Sequence, residues 1–276
     1  MRVIETACRA KRKGRPRNKP PDVCNLSSIC NTPNLACRIP HLDGYPMRHT
    51  LAAFALFASF GFVSAHAADP LPYISNKEVD LTRFLPPPPA NDSAQTKAEI
   101  AEVLSIQASR TAEQEAAAKA DATEDVWRFA DVLGPKFTAA NLPKLNAFFA
   151  RVVETEGAVV DPAKDVWKRP RPHLLSKDIK PVVKLTSSGS WPSGHATVGY
   201  LMATVLADMV PEKRAALFAR AAGYAENRIV AGIHYRSDTQ MGRVAGALIA
   251  QNLFARPDFQ AEYAPARAEL RAALGL

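Results

Sequence analysis

Beyond Cys37 this chain of 276 residues contains no cysteine; all four (Cys8, Cys24, Cys30 and Cys37) lie near its start. The remainder therefore gains no disulfide from an oxidising compartment and no thiolate metal site, and must be held by its core. The four cysteines themselves match no zinc-ligand spacing. Also missing from the body of the chain is any run of ~20 apolar residues, the length a membrane-spanning helix needs. Net charge is scarce there too. Of the formal +8, seven units come from the segment up to Arg48, which holds ten basic and three acidic residues. The rest of the chain is nearly neutral, so the basic total is no argument for a nucleic-acid partner. Finally, there is no convincing period-two alternation, which argues against strands, and no internal repeat.

What is present begins with a leader. Met47, Arg48, His49 and Thr50 form a short basic region, residues 51–63 are apolar or small, and Ala65-His66-Ala67 offers an A-x-A cleavage site. Residues 47–67 thus read as a secretory signal peptide, too short for a spanning anchor, and imply export to the periplasm. Such signals sit at an N-terminus, so Met47 is expected to be the true start. Residues 1–46, with a basic cluster from Arg9 to Lys19 and no helical period, read as a disordered upstream extension outside the native protein.

After the leader, residues 68–92 are polar and rich in proline, and Pro86 to Pro89 enforce an extended polyproline segment. Residues 93–276 carry helical periodicity throughout. One long helix is expected from Ser93 to about Ala120, with Ile100, Val103 and Leu104 on one face. Val126, Phe129, Ala130 and Leu133 repeat the pattern, and Leu145, Phe148, Phe149, Val152 and Val153 extend it, with Asn141 and Pro143 as cap and opening turn. Asp161 and Pro162 are expected to open a shorter helix containing Lys164. Val198, Leu201, Met202, Val205, Leu206 and Met209 form a stripe ending at Pro211, where another helix starts and runs to about Val230. Met241, Val244, Ala245, Leu248 and Ile249 form one more, and a final amphipathic helix begins after Pro257. The expected architecture is a single all-α domain of packed helices.

Three segments gather cations, histidines and a carboxylate that a helical core does not need: Lys164 through Pro172, Trp191 through His195, and Arg228 through Asp238. A phosphoryl group in transfer spreads negative charge over three oxygens, so a protein acting on it must present fixed cations and amide donors. Lys164, Arg171 and Arg228 supply the cations, and arginine forks can bind two phosphate oxygens at once. Ser193, Gly194 and the helix they open add hydroxyl and backbone N–H donors. His234 can attack phosphorus if one ring nitrogen is unprotonated and aimed, and Asp238, one helical turn later, can hold the other nitrogen. His195 then protonates the leaving alkoxide and later activates water. One histidine must be neutral while the other is protonated, which predicts activity greatest on the acidic side of neutrality. Each piece alone has a structural alternative: a solvated cation, a serine cap, a His–Asp hydrogen bond inside a core.

Their joint order decides between these readings. Lys164-x6-Arg171-Pro172, then Pro192-Ser193-Gly194-His195, then Arg228-x5-His234-x3-Asp238, resembles the three-part signature of the type-2 phosphatidic acid phosphatase superfamily, which also includes vanadium haloperoxidases. Phe84 to Ala90 followed by Ser93, and Gly189-Ser190 ahead of the second motif, narrow the likeness to class A bacterial non-specific acid phosphatases, over nearly everything from Leu81 onward. The resemblance implies an all-α enzyme of the cell envelope, often a homo-oligomer, that hydrolyses many organic phosphomonoesters without metal or other cofactor and sometimes passes phosphate to alcohols. It also implies that Lys164, Arg171, Ser193, Gly194, His195, Arg228 and His234 contact phosphate or act on it, and that Asp238 orients the nucleophile.

Three positions depart from the family pattern: Asn227 where serine is usual, Trp191 for tyrosine and Ala196 for threonine. The last two are expected to flank the pocket. Trp167, Tyr224 and Tyr235 are read as core residues, with a pocket wall as the alternative. A membrane lipid phosphatase is disfavoured by the missing apolar runs, and a vanadium haloperoxidase by the lack of long insertions. A silent phosphate-binding protein is disfavoured by the two histidines, since binding alone needs only the cations.

Overall fold

The structure is a computed structural model and describes residues 70–276. The leader, the four cysteines and the basic cluster lie outside the described residues. The elements are α1 (Leu81–Phe84), α2 (Ala94–Ser109), α3 (Ala112–Ala120), α4 (Ala130–Leu133), α5 (Pro143–Trp167), α6 (Pro172–Leu175), α7 (Gly194–Met209), α8 (Arg214–Val230), α9 (Arg236–Phe254) and α10 (Pro257–Leu274). Short 3-10 turns precede α4 and α8. No strand occurs among the described residues, and the fold is all-α.

The central element is α7. Of its 16 residues, 12 are buried, so it is apolar all round rather than on one stripe, as a helix enclosed by others must be. It packs against α8 and α9, while α5 and α10 pair on another side. The approach of α9 to α7 depends on two glycines. A Cβ at Gly242 would stand 2.7 Å from the Ser193 carbonyl oxygen, and one at Gly246 would stand 2.6 Å from that of Thr197. The buried face of α9 is accordingly Gly242, Ala245, Gly246, Ile249, Ala250 and Leu253. Val244, expected in the apolar stripe, is 45% exposed. Met241, Ala245, Leu248 and Ile249 do meet the core, but the face is centred on Gly242 and Gly246 rather than on Val244, because close helix contact selects small residues. Upstream, Tyr73, Ile74, Val79, Leu81 and Leu85 enter the main core, so the proline-rich stretch is tied to the body of the protein.

Three helix boundaries differ from expectation, each for a local reason. The long helix from Ser93 breaks at Arg110, whose side chain turns inward to donate to the Val230 carbonyl at 2.9 Å. Thr111 and Gln114 then form a capping box that starts α3. Asn141 does not cap α5. The first N–H groups there are taken by the Glu269 carboxylate of α10, at 3.3 Å for Lys144 and 2.9 Å for Leu145. Pro162 does not open a new helix but lies inside α5. The Ala158 carbonyl, left without its helical donor by Pro162, accepts instead from the Asn76 N–H at 3.1 Å.

Candidate active site

Lys164 lies in the last turn of α5, which ends at Lys168 in the left-handed conformation. The chain then turns through Arg169 to Arg171, the residue before α6. His195 sits in the first turn of α7, Arg228 in the last turn of α8, and His234 in the short connection to α9. Helix ends thus converge on a cavity of about 530 Å³, lined by Lys164, Arg171, Gly194, His195, Arg228 and His234, with Ala122, Ile233 and residues 183–187 as further wall. The motifs are also joined through the backbone, since the Ser193 N–H donates to the Asp238 carbonyl at 3.1 Å and the Ser190 N–H to that of Arg169 at 2.9 Å.

The neighbours of His234 fix its tautomer. Arg171 Nη1 lies 3.0 Å from Nε2, and a guanidinium can only donate, so Nε2 must be the bare nitrogen. Nδ1 then carries the proton and donates to Asp238 Oδ2 at 3.1 Å. Burial, together with Arg171, Arg228 and Lys164, holds the His234 imidazole well below its ordinary pKa and therefore neutral. Asp238 is completely buried. Its burial pushes the carboxyl up to about 6, against the opposing pull of Arg169 and the hydrogen bond from Ser190.

Around that pair runs a chain the motif positions did not reveal. Arg169 donates to Asp238 Oδ1 at 2.6 Å, to Ser237 Oγ at 2.9 Å and to Glu99 Oε2 at 2.9 Å, with its guanidinium 4.0 Å over the Tyr235 ring. Glu99, on α2, also accepts from the Ser237 N–H at 2.8 Å. Arg169 was visible as part of a cationic run. Glu99 carried no signal in an Ala- and Glu-rich helix.

The cations are placed with spare capacity. Arg228 donates to the Asp121 carbonyl at 3.2 Å through Nη1, while its buried Nε has no partner. Burial lowers the guanidinium to about 10, so it stays charged at any neutral or acidic pH. Lys164 reaches Asp161 at 3.0 Å. Beneath it, Glu156 is fully buried with Oε1 unpartnered, and burial lifts this carboxyl well above its ordinary range, only partly offset by Lys164. Among the described residues, the only carboxylate that Lys164 bonds directly is thus Asp161, at the exposed side of the helix end. Gly194 provides the room: a Cβ there would stand 3.0 Å from Lys164 Nζ and 3.1 Å from Glu156 Oε1.

His195 is held differently. Nδ1 lies 2.6 Å from Glu124 Oε1 and Nε2 lies 3.1 Å from the Ala122 carbonyl, both on the loop between α3 and α4. Tyr224 stacks on the ring at 6.0 Å between centroids.

Other expected residues fall behind the cavity wall. Ser193 is buried, its Oγ accepting from the Ala196 N–H as the cap of α7. Trp191 and Ala196 do not flank the cavity. Trp191 packs edge-on against Trp167 and beneath Arg169, and Ala196 faces Gly242 of α9. Tyr224 and Tyr235 are fully buried, and Trp167 packs on the core. Asn227 donates to Asp121 at 2.7 Å rather than reaching the cavity. Among the described residues, no group of three or more His, Cys, Asp or Glu is arranged to hold a metal ion.

Comparison with known proteins points the same way as the geometry. The PAP2 superfamily profile matches residues 147–261, which span all three motifs. The non-specific acid phosphatase of Salmonella typhi is 30% identical over 214 residues, covering 74% of this chain and 86% of that protein. That of Salmonella typhimurium is 29% identical over 218 residues, covering 76% and 87%. That of Providencia stuartii is 26% identical over 243 residues, covering 78% and 96%.

Proposed function

The chain belongs to the PAP2 superfamily and is a phosphomonoesterase, and from that premise we propose that it is an exported, metal-independent acid phosphatase working through a phosphohistidine on His234. The ester phosphate enters the cavity, where Lys164, Arg171 and Arg228 take its three charged oxygens together with the N–H groups at the start of α7. His234 Nε2 forms a bond to phosphorus as the bond to the leaving oxygen breaks. The His195 Nε2 proton passes to that oxygen, and the alcohol departs. The imidazolium formed at His234 is stabilised by Asp238, already bonded to Nδ1. Water then attacks phosphorus, gives its proton to His195 Nε2 and breaks the P–N bond, restoring both histidines. An alcohol in place of that water would receive the phosphoryl group by the same steps, so phosphotransfer belongs to the same reading.

The observation that carries this reading is the pairing at His234: Asp238 at 3.1 Å from Nδ1 and Arg171 Nη1 at 3.0 Å from Nε2 keep Nε2 unprotonated at the wall of a cationic cavity, its lone pair held by a guanidinium that an entering phosphate would draw to its own oxygens. A binding protein needs the cations but not that tautomer. Substrates are small-molecule phosphomonoesters, in keeping with the relatives named non-specific acid phosphatase. Export rests on the leader at 47–67, release from the membrane on its cleavage, and homo-oligomer formation on the family resemblance. No helix among the described residues is long and apolar enough to cross a membrane.

The test is hydrolysis of p-nitrophenyl phosphate by the chain from Ala68 onward in excess chelator, beside His234→Ala. Chelator-resistant activity that vanishes in the variant is expected. Activity lost to chelator, or retained by the variant, would overturn the mechanism. Mass spectrometry of the exported protein checks the leader, and light scattering checks assembly.

A further inference from the structure

His195 is expected to deliver a proton to the leaving group, yet nothing in the three motifs provides for it what Asp238 provides for His234. The loop between α3 and α4 does. Glu124 Oε1 stands 2.6 Å from His195 Nδ1, and the Ala122 carbonyl 3.1 Å from Nε2. Both neighbours are acceptors, so both contacts are hydrogen bonds only when both ring nitrogens carry protons, the form a general acid must start from.

The loop is built to hold this geometry. Asp121, buried, accepts from Arg220 at 2.5 and 3.0 Å, from Arg128 at 2.9 Å and from Asn227 at 2.7 Å. The Tyr224 hydroxyl donates to the Thr123 carbonyl, and the same tyrosine stacks on His195, so one residue sets both the loop height and the ring plane. Burial opposes ionisation of Glu124, but the hydrogen bond and charge of His195, with Lys164 and Arg228, hold it below the ordinary carboxylate range.

We propose that Glu124 is the positioning residue for His195, a second carboxylate–histidine pair that presents Nε2–H to the leaving oxygen while the substrate replaces the Ala122 carbonyl. This rests on the assignment of His195 as general acid given above. In the first step Glu124 keeps its bond to Nδ1–H while the Nε2 proton goes to the alkoxide. In the second it stabilises the same ring as Nε2 takes a proton from water. Glu124 itself neither gains nor loses a proton.

A residue that only braces the loop would slow every substrate alike, whereas one that supports the acid matters most when the leaving group needs a proton. The experiment compares kcat/KM for glycerol phosphate, whose alkoxide must be protonated, with that for p-nitrophenyl phosphate, whose phenolate leaves without help. It uses the full chain, Glu124→Gln, Glu124→Asp and His195→Ala, with vanadate affinity as a measure of the cradle. For Glu124→Gln a loss of about 30-fold on the alkyl ester against less than about 3-fold on the aryl ester is expected, with vanadate binding kept and partial recovery in Glu124→Asp. Equal losses on both esters, or none on either, would overturn the proposal for Glu124. If His195→Ala shows no preference for the aryl ester, it is the general-acid assignment that fails instead. Loss of vanadate binding in Glu124→Gln would count against positioning of His195 and assign Glu124 to the phosphate cradle.

Discussion

Two histidines face one cavity, and the protein holds them by opposite means. His234 is 2% exposed and its carboxylate partner is completely buried, with Arg169, Ser190 and a backbone N–H filling the remaining acceptor sites. His195 keeps 21% of its side chain open, and its partner Glu124 keeps 34%. The difference matches the role proposed for each ring. A nucleophile needs one tautomer and one direction, and a dry, fully bonded surrounding removes the alternatives. An acid that later acts as a base must meet a succession of partners: leaving oxygen, departing alcohol, incoming water. A loop at the cavity mouth permits that exchange.

The largest effect should come from breaking the locked pair at its reacting atom. His234→Ala should lower kcat on p-nitrophenyl phosphate by about 10³-fold or more, leaving vanadate binding within an order of magnitude because the cations remain. Next, Asp238→Asn should cost about 10²-fold, since an amide can present its NH₂ to Nδ1 and favour the wrong tautomer. Burial sets the sign of the pH effect. Because the carboxyl is raised to about 6, it is ionised above that pH and protonated below it. Activity of the unaltered enzyme should therefore fall as pH drops through about 6, and the asparagine variant should lose that limb. A pH–rate profile of both proteins decides the point.

A smaller change sharpens the comparison by asking whether the buried pair is held from outside. Arg169→Met leaves Glu99 and Asp238 buried without their shared cation, and should destabilise the fold by about 3 kcal/mol in urea titration while lowering kcat roughly tenfold. The smallest effect belongs to the open pair's support. Asn227→Ser removes one of several donors to Asp121 and should cost about 1 kcal/mol, with rates within about twofold of the parent. A large loss of activity there would mean that the loop carrying Glu124 is less independently anchored than the Arg220 and Arg128 contacts imply.

The boundaries that were legible in the sequence are those set by local chemistry. Ser93 caps α2, Pro143 opens α5, Pro211 marks the turn before α8 and Pro257 opens α10, because a side-chain oxygen or a missing N–H acts within one turn of its own residue. The stripe of α7 was equally plain. Where expectation failed, the deciding partner was distant: Glu269 capping α5 from α10, Asn76 donating to the carbonyl that Pro162 leaves free, and the Ser193 and Thr197 carbonyls that admit only glycine on α9. The break at Arg110 was readable, since Thr111-x-x-Gln114 is a capping box, but the strong helix formers around it masked the signal.

For the site, the sequence by itself determined the inventory: three cations, two histidines and an aspartate at spacings that place each near a helix end. It determined the His234–Asp238 contact too, because four residues across the start of a helix bring side chains together without help from the rest of the chain. Only the tertiary structure decided which nitrogen of His234 is bare, since Arg171 approaches it from another segment. The fold likewise paired His195 with Glu124 across 71 positions and buried Glu156 beneath Lys164. Hydrogen bonding and burial act through space, and no spacing along the chain records them.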